Sequence, residues 1–308
     1  DCDLSDAGAR LRMARSAYAI PALFILEYAY TRLWEGWGIR PDAILAHSVG
    51  EYAGAVTAGT LRLEDALRIV TLRGKVMDEA PAGAMTTVPA DAEAVRALIG
   101  AELDIAAMNG AQATVVSGSR AAIEALETRL AGTPQEARRI QIDVAAHSRL
   151  LDCQLDRFRA GIADIGFGRP AIPMVSSLRG DWAQDDDLAS ADYWVRPLRQ
   201  TVRFTQAAAC ALDRPDTVVI EVGPGQTTGP LVAAAEVAHP ARAVLPSAPR
   251  PRDGDDEMGV AVAALGGLWA QGVALDPAHL PGGAQGRRLS LPTYAFEKER
   301  HWIEPGQG

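Results

Sequence analysis

Cysteine is scarce in this sequence, and clustered metal ligands are missing. The 308 residues include three scattered cysteines, Cys2, Cys153 and Cys210, and no CxxC pair or Cys/His cluster. An odd number of scattered cysteines does not form a disulfide framework, and metal ligands normally come in close groups. We therefore expect reduced thiols, no bound metal and a cytoplasmic protein.

Positive charge and long apolar runs are also in short supply. The net charge of −9 gives no general attraction to nucleic acid or to anionic membranes. The N-terminus has no charged start followed by an apolar stretch, so we expect no signal peptide there. One uncharged run, Met258 to Leu275, has 18 residues, the lower limit for a membrane span. Because it is rich in Gly and Ala, we expect a buried helix there instead.

The most informative stretch that is present runs from Ile44 to Glu51, where an apolar segment ends in His-Ser-x-Gly. A helix-like stretch follows. A serine on a sharp turn between a strand and a helix presents its hydroxyl outward, above the helix N-terminus. Ser48 could therefore be a nucleophile, with the amide of Val49 facing the developing oxyanion. It could equally be an ordinary N-cap, since serine often precedes a helix.

Most of the chain alternates between helical and strand patterns. Up to residue 83 we expect a largely buried helix, a strand and two further helices, at Ala17–Trp37, 43–47, 49–58 and Leu63–Asp78. Beyond residue 144 we expect helices at 150–165, 201–212, 227–237 and 258–272, and strands at 172–176, 217–222 and 242–245. This alternation predicts an α/β fold with a parallel sheet.

Residues 84–143 have a different pattern. They predict strands and helices in the order βαββαβ, at Ala84–Val88, Ala90–Ile99, Asp104–Met108, Thr114–Ser117, Ala121–Leu130 and Arg138–Ile142. That order is the split, ferredoxin-like arrangement. We therefore expect a small subdomain inserted into the larger fold.

A serine nucleophile needs a base, and five histidines are available: His47, His147, His239, His279 and His301. His47 adjoins Ser48, so its side chain should point away from the serine. His147 follows a strand and precedes a helix, where the active-site loops of α/β folds collect. We therefore expect His147 to be the base. Asp143 is too close to it along the strand to be an obvious third member.

Arg73 is the second discriminating residue, 25 positions after Ser48 on a mostly apolar helix. Such an arginine commonly extends to solvent or pairs with a carboxylate of the protein. It could instead hold a substrate carboxylate by a two-pronged hydrogen bond. The residues alone leave both possibilities open.

These residues belong to a longer series of motifs: the elbow at 47–51, Arg73-Gly74 with Met77, Pro81-x-Gly83-Ala84-Met85, Asn109-Gly110, Val116-Ser117-Gly118, the segment ending at His147, Tyr193-Trp194-Val195-Arg196, Val202-Arg203-Phe204 and Glu221-Val222-Gly223-Pro224-Gly225. Three later motifs complete it: Leu245-Pro246-Ser247, Leu291 to Phe296 and Glu299 to Trp302. With these motifs in order, the chain resembles from end to end the acyltransferase domain of modular type I polyketide synthases. That domain belongs to the malonyl-CoA:acyl carrier protein transacylase superfamily.

The resemblance implies an α/β-hydrolase-like core with an inserted ferredoxin-like subdomain. The large subdomain would comprise 1–83 and 144–246 without its first strand, and the small subdomain 84–143. Residues 247–308 would form the linker that follows this domain in the family. We expect its apolar segment 291–296 to pack back on the body.

The resemblance also implies a reaction. Ser48 is acylated by an acyl-CoA, His147 is general base and acid, oriented by a backbone carbonyl, and Arg73 binds the free carboxylate of a malonyl-type unit. The acyl group then passes, in a ping-pong reaction without a cofactor, to the phosphopantetheine thiol of an acyl carrier protein. Neighbouring polyketide synthase domains are further implied partners. Four more residues are implied in substrate binding: His47, Asn109, Val144 and Ala146.

Two departures from the family pattern concern the elbow and the oxyanion hole. Ala46 stands where the family has Gly, which strains the turn unless its φ is negative. The family's Gly-Gln-Gly-Ser-Gln loop, whose amide completes the oxyanion hole, is absent from the sequence. Losing one oxyanion donor typically costs about 10²–10³ in rate. We therefore expect either reduced activity or completion of the site by residues outside this sequence.

A third departure concerns the acyl unit. The segment Val144-Ala145-Ala146-His147 matches neither the His-Ala-Phe-His of malonyl-selective relatives nor the Tyr-Ala-Ser-His of methylmalonyl-selective ones. Ala146 leaves room beside the α-carbon, whereas Val49 is more typical of malonyl selection. A pocket that distinguishes one methyl gives only about 1–3 kcal/mol. We expect methylmalonyl or a related α-substituted unit, with malonyl close behind.

Other interpretations use the same residues differently. A serine hydrolase or thioesterase would need Ser48 and His147 but not Arg73, and a truncated domain could be an inactive remnant. A basic cluster of Arg196, Arg199 and Arg203 could meet an acidic carrier protein, or form local ion pairs.

Overall fold

The computed structural model describes residues 7–250, 254, 256–281, 289–297, 299 and 306. Its first part is mainly helical, with α1 Ala7–Met13, α2 Ser16–Gly36, β1 Ile44–Leu45, α3 Gly50–Thr57 and α4 Leu63–Asp78. α2 and α4 approach very closely where Gly74 faces the start of α2. A Cβ at Gly74 would lie 2.8 Å from the Cα of Ala17, and closer still to the Ser16 carbonyl oxygen.

A small body follows, and it has its own hydrophobic cluster. It comprises β2 Gly83–Val88, α5 Ala92–Leu98, β3 Leu103–Met108, β4 Thr114–Ser119, α6 Arg120–Leu130 and β5 Arg138–Ile140. The four strands form an antiparallel sheet in the order β3-β4-β2-β5. Val116 from the sheet and Ile123 and Leu126 from α6 are buried together. The predicted βαββαβ order is confirmed.

The rest of the larger body returns to mixed helices and strands. Its elements are a 3-10 helix Arg149–Gln154, α7 Leu155–Gly161, β6 Met174–Ser176, β7 Asp181–Trp182, α8 Asp185–Leu188, α9 Ala191–Val195, a 3-10 turn Arg196–Leu198, α10 Phe204–Ala211, β8 Val218–Glu221, α11 Gly229–Ala233 and β9 Ala243–Pro246. β1 pairs in parallel with β6, and β8 in parallel with β9. The α/β class is confirmed, and the parallel pairing occurs in two short sheets among the described residues.

The uncharged run forms a helix with one buried face. α12 Glu257–Ala270 buries Ala264 and Leu268 against Trp34 and Trp37 of the first part, and Trp269 on its other face is 70% exposed. A short 3-10 turn, Pro277–His279, follows. Within the described ranges, no helix has the length and apolar character needed to cross a membrane.

The expectation that segment 291–296 packs back on the body is wrong for this structure. Leu291, Tyr294 and Phe296 are 75–80% exposed. The segment forms no helix or strand. Its two rings contact each other, with centroids 4.7 Å apart, so its apolar groups are only partly removed from water.

Candidate active site

Ser48 occupies a strained turn between β1 and α3. Its φ is 51°, in the left-handed region that residues with a Cβ rarely adopt. Ala46 is not among the positive-φ residues, so its methyl group is tolerated and this departure from Gly is explained. The amide of Val49 precedes the first residue of α3 and has no hydrogen-bond partner among the described residues. It is therefore free to donate to an oxyanion beside Ser48.

His147 faces the serine from a second strained turn, with φ of 57° and 5% exposure. Its Nδ1 lies 3.0 Å from the carbonyl oxygen of Gln200, and its Nε2 lies 2.8 Å from the Ser48 Oγ. A carbonyl oxygen only accepts, so Nδ1 carries the proton and Nε2 accepts from the serine hydroxyl. The backbone carbonyl thus takes the orienting place that an Asp has in a Ser-His-Asp triad. Asp143 instead pairs with Arg120, 2.7 Å away.

Charge and burial keep His147 neutral. Burial first, and then the positive charge of Arg73, lower the pKa of His147 from 6.5 to about 3. A neutral imidazole is the form that can take a proton from Ser48. The site is therefore in its base form at every pH near neutrality.

Arg73 lies on the other side of the serine hydroxyl. It projects from α4 with 1% exposure, and its Nη2 donates to the Ser48 Oγ over 3.0 Å. Its Nη1 lies 3.4 Å from the Tyr52 hydroxyl, and its guanidinium lies over the Tyr52 ring. Arg73 forms no ion pair with any Asp or Glu in the described ranges, and its Nε has no hydrogen-bond partner there. A buried cation without a bonded anion is costly, so this position favours an anionic ligand.

A buried carboxylate organises the wall next to this arginine. Glu51 of α3 accepts hydrogen bonds from the Ser177 amide (2.8 Å) and hydroxyl (2.6 Å), and from the Tyr193 hydroxyl (3.2 Å). Burial raises the pKa of Glu51, and the hydrogen bonds from Ser177 and Tyr193, together with the nearby positive charge of Arg73, oppose that rise. Glu51 thereby fixes the loop after β6, where Ser177 lies.

A narrow cleft lies beside the serine and the histidine. It is lined by Ser48, His147, Ser177, Leu178, Pro197, Gln200, Thr201 and Val202. Val144 and Ala146 are not among these residues. Both are buried in the main hydrophobic cluster directly before His147. Their expected contact with substrate therefore stays a prediction.

His47 and Asn109 lie together rather than against Ser48. The Nε2 of His47 is 2.9 Å from the Oδ1 of Asn109, and its ring packs 5.0 Å from that of Phe204. Burial lowers the pKa of His47. The expectation that the His47 side chain points away from the serine agrees with these contacts, which connect β1 to the turn after β3.

Two arginines of the basic cluster expected at 196–203 have local partners. Arg199 pairs with Asp152 (2.8 Å) and lies 3.5 Å from Asp104. Arg196 lies over the Tyr193 ring. In the part of the chain that the structure describes, no group of three or more His, Cys, Asp or Glu could hold a metal ion.

Comparison with known proteins identifies the family. Residues 11–247 match the family model of the acyl transferase domain. The chain belongs to the acyl transferase domain family. The chain is 39% identical to mycoketide-CoA synthase of Mycobacterium tuberculosis and 36% identical to polyketide synthase GfsA of Streptomyces halstedii. The matched stretches are 93% and 94% of this chain but only 7% and 4% of those proteins.

Solved structures support the same family. The chain is 36% identical to the acyltransferase domain from the second module of the salinomycin polyketide synthase, with a TM-score of 0.82 over 92% of this chain and 67% of that chain. It is 35% identical to the acyl transferase domain of SpnD, with a TM-score of 0.78 over 83% of this chain and 62% of that one. The resemblance to polyketide synthase acyltransferase domains is thus confirmed.

Sequence reasoning did not single out several residues of the site. Tyr52 lies only four residues after Ser48, on α3, but no motif indicates that its ring contacts Arg73. Ser177 lies far from Ser48 along the chain. Ser177 follows β6 directly, and the carboxyl ends of strands are where α/β sites form, which could have drawn attention to it. The Gln200 carbonyl carries no signal, because every residue type has one.

Proposed function

We propose that this acyltransferase domain loads a malonyl-type unit from CoA onto Ser48 and transfers it to the phosphopantetheine thiol of an acyl carrier protein in polyketide biosynthesis. The observation that carries the proposal is the position of the Ser48 Oγ. It lies 2.8 Å from the Nε2 of His147 and 3.0 Å from the Nη2 of Arg73. A base and a buried cation thus meet at one hydroxyl.

The chemistry follows from these contacts. His147 Nε2 takes the Ser48 proton while Oγ attacks the thioester carbonyl carbon, and the negative oxygen of the tetrahedral intermediate faces the Val49 amide. The C–S bond then breaks, and the imidazolium returns the proton to the CoA sulfur. In the second half, the carrier thiol gives its proton to His147 and attacks the acyl-serine. The Ser48 Oγ leaves and regains that proton, which closes a ping-pong cycle without a cofactor.

Arg73 supports the choice of a dicarboxylic unit. A planar guanidinium binds a carboxylate through two parallel hydrogen bonds. Its present partners are neutral hydroxyls of Ser48 and Tyr52. A simple acyl group would leave this buried charge without a directly bonded anion, whereas a malonyl carboxylate supplies one. This preference also separates the proposal from a serine hydrolase or thioesterase.

For the acyl unit we favour methylmalonyl or another α-substituted malonyl group over malonyl. The small side chain of Ala146 next to His147 supports this choice. The related SpnD domain was solved as a complex with 2-(pent-4-yn-1-yl)malonyl, which is a malonyl group with a substituent at carbon 2. The unpaired Cys153 and Cys210 fit a reducing compartment, so we place the reaction in the cytoplasm.

Intact-protein mass spectrometry after incubation with malonyl-CoA, methylmalonyl-CoA or acetyl-CoA tests the proposal. We expect one dicarboxylic acyl adduct, lost in Ser48→Ala, and a shift toward acetyl in Arg73→Ala. Arg68→Ala is the matched control, since Arg68 lies on the same helix and forms an exposed ion pair with Asp164. A folded protein that forms no adduct, either alone or with the family's Gly-Gln-Gly-Ser-Gln loop supplied, would contradict the proposal. Release of free acid at the same rate with and without carrier protein would favour a hydrolase.

A further inference from the structure

The small body contacts both chain segments that hold His147. The first is segment 198–202. The His147 amide donates to its Leu198 carbonyl (3.1 Å), and the His147 Nδ1 donates to its Gln200 carbonyl. The second segment begins directly after His147, at Ser148. β3 lies against both segments.

Asp104 of β3 makes the side-chain contacts to the two segments. Its Oδ2 accepts from the backbone amide and from the Nε of Arg149, each over 2.9 Å, and its Oδ1 accepts from Arg149 Nη2 over 2.9 Å. The Nη2 of Arg199 lies 3.5 Å from the same Oδ1. Arg149 comes two residues after His147, and Arg199 directly precedes Gln200. Burial would raise the pKa of Asp104, but the two arginines outweigh it, so the pKa is lowered and the carboxylate is ionised.

Hydrogen bonds also hold the residues that follow Gln200 against β3. The Val202 amide donates to the Ala106 carbonyl (2.9 Å), and the Met108 amide donates to the Val202 carbonyl (2.8 Å). The Thr201 hydroxyl donates to the Ile105 carbonyl over 2.7 Å. Gln200 therefore lies between two neighbours that are both bound to β3, and its own carbonyl orients the imidazole.

We infer that Asp104 is a positioning residue for His147. It connects the segment after the histidine and the segment before Gln200 to one strand, and so keeps Nε2 in line with the Ser48 Oγ. This inference rests on the proposed role of His147 as the base. An error of about 1 Å in such alignment can cost about 100-fold in rate.

The test compares Asp104→Asn with Glu127→Gln. Glu127 is a matched control in the same small body, because it accepts a two-pronged pair from Arg139 (2.7 and 2.6 Å) away from His147. We expect Asp104→Asn to slow acylation of Ser48 about tenfold, with less than a twofold change in the control. The NMR signal of the His147 Nδ1 proton, assigned by its loss in His147→Gln, should move upfield or broaden in Asp104→Asn alone.

Arg199→Lys is the second variant, in case Asp104→Asn does not fold. It keeps the charge but loses the planar fork, so the Nδ1 signal should change in the same direction by a smaller amount. An unchanged Nδ1 signal and rate in a folded variant would overturn the inference. So would an equal loss of rate in Glu127→Gln, since that would reflect general destabilisation. The NMR signal is read without substrate, so it remains informative even if the proposed acyl transfer fails.

Discussion

Two residues of the site, Ser48 and His147, hold left-handed backbone conformations that a side chain disfavours. Their φ values are 51° and 57°. Each such residue costs about 1–3 kcal/mol and persists only where its surroundings fix it. Here the two conformations are fixed by the hydrogen bond between the two side chains and by the hydrogen bonds of His147 to Leu198 and Gln200. The strain places Oγ and Nε2 within reach of each other.

We therefore expect Ser48→Gly to be inactive yet more stable than Ser48→Ala. Both variants lose the hydroxyl, but only glycine adopts a φ of 51° without a steric cost. Urea denaturation should show a difference of about 1 kcal/mol in the free energy of unfolding. Equal stability of the two variants would mean that the turn is not strained.

The low pKa of His147 predicts an unusual pH profile. A histidine with a pKa of 6.5 would lose about 30-fold in its base form between pH 8 and pH 5. With a pKa of about 3, the base form persists throughout this range, so the acylation rate should change less than about twofold in this range. Single-turnover acylation followed by mass spectrometry measures this.

Removing the positive charge in Arg73→Gln should raise the pKa of His147 and move the acid limb of the profile upward, since Arg73 is the second cause of the shift. Acetyl-CoA serves as donor for this variant, because no carboxylate is then required. An acid limb near pH 6.5 in the unchanged protein would contradict the prediction.

At the scale of elements, the sequence predicts periodic segments well and short ones poorly. The predicted bounds of α4, Leu63–Asp78, match the structure, and α2 differs by one residue at each end. β7, α8 and α9 were not predicted, because two to five residues are too few to show a period. The predicted helix at 150–165 is divided into a 3-10 helix and α7.

The site shows the same division between local pattern and tertiary contact. Ser48, His147 and Arg73 could be singled out from local patterns and family motifs. Their convergence on one Oγ depends on how α4 and the 198–202 segment pack, which no local pattern contains. The exposed Tyr294 and Phe296 show the opposite case, where apolar composition predicted packing that the structure lacks.

The contact between α2 and α4 predicts that Gly74→Ala is destabilising. The new methyl would meet the Ser16 carbonyl and the Cα of Ala17, so the helices must separate. We expect a loss of about 1–3 kcal/mol and slower acylation, because Arg73 lies next to the displaced position. Thermal and urea unfolding give the stability change.

Gly266→Ala is the matched control, because a Cβ there meets nothing within 4 Å. Removing a helical glycine at an open position should stabilise by about 0.5–1 kcal/mol. Equal effects of the two substitutions would mean that the close approach of α2 and α4 is unimportant.

At the scale of the whole molecule, two buried groups pull stability in opposite directions with pH. In the folded state His147 has a pKa of about 3, whereas in the unfolded chain its pKa is 6.5. Because the unfolded state binds the proton more readily, the free energy of unfolding falls as the pH drops from 6.5 to 3. Burial raises the pKa of Glu27 from 4.5 to about 8, so the folded state keeps a proton that the unfolded state releases. Stability therefore also falls as the pH rises from 4.5 to 8.

Glu27→Gln should remove the loss on the alkaline side. Glutamine keeps the shape of the protonated acid but cannot ionise, so the gain in melting temperature over the unchanged protein should grow from pH 5 to pH 8. Glu124→Gln, an exposed substitution on α6, should show no such trend. A gain for Glu27→Gln that is the same at both pH values would contradict the raised pKa.

The buried guanidinium of Arg73 also has a consequence for the protein in the cell. Among the described residues Arg73 has no carboxylate within ion-pair distance, and the proposed acyl donor would supply one to the loaded domain. A ligand that binds only the folded state raises the free energy of unfolding by an amount that grows with the logarithm of its concentration once that concentration exceeds Kd. Resistance to proteolysis, and with it the amount of enzyme, would then rise and fall with the supply of dicarboxylic CoA thioesters.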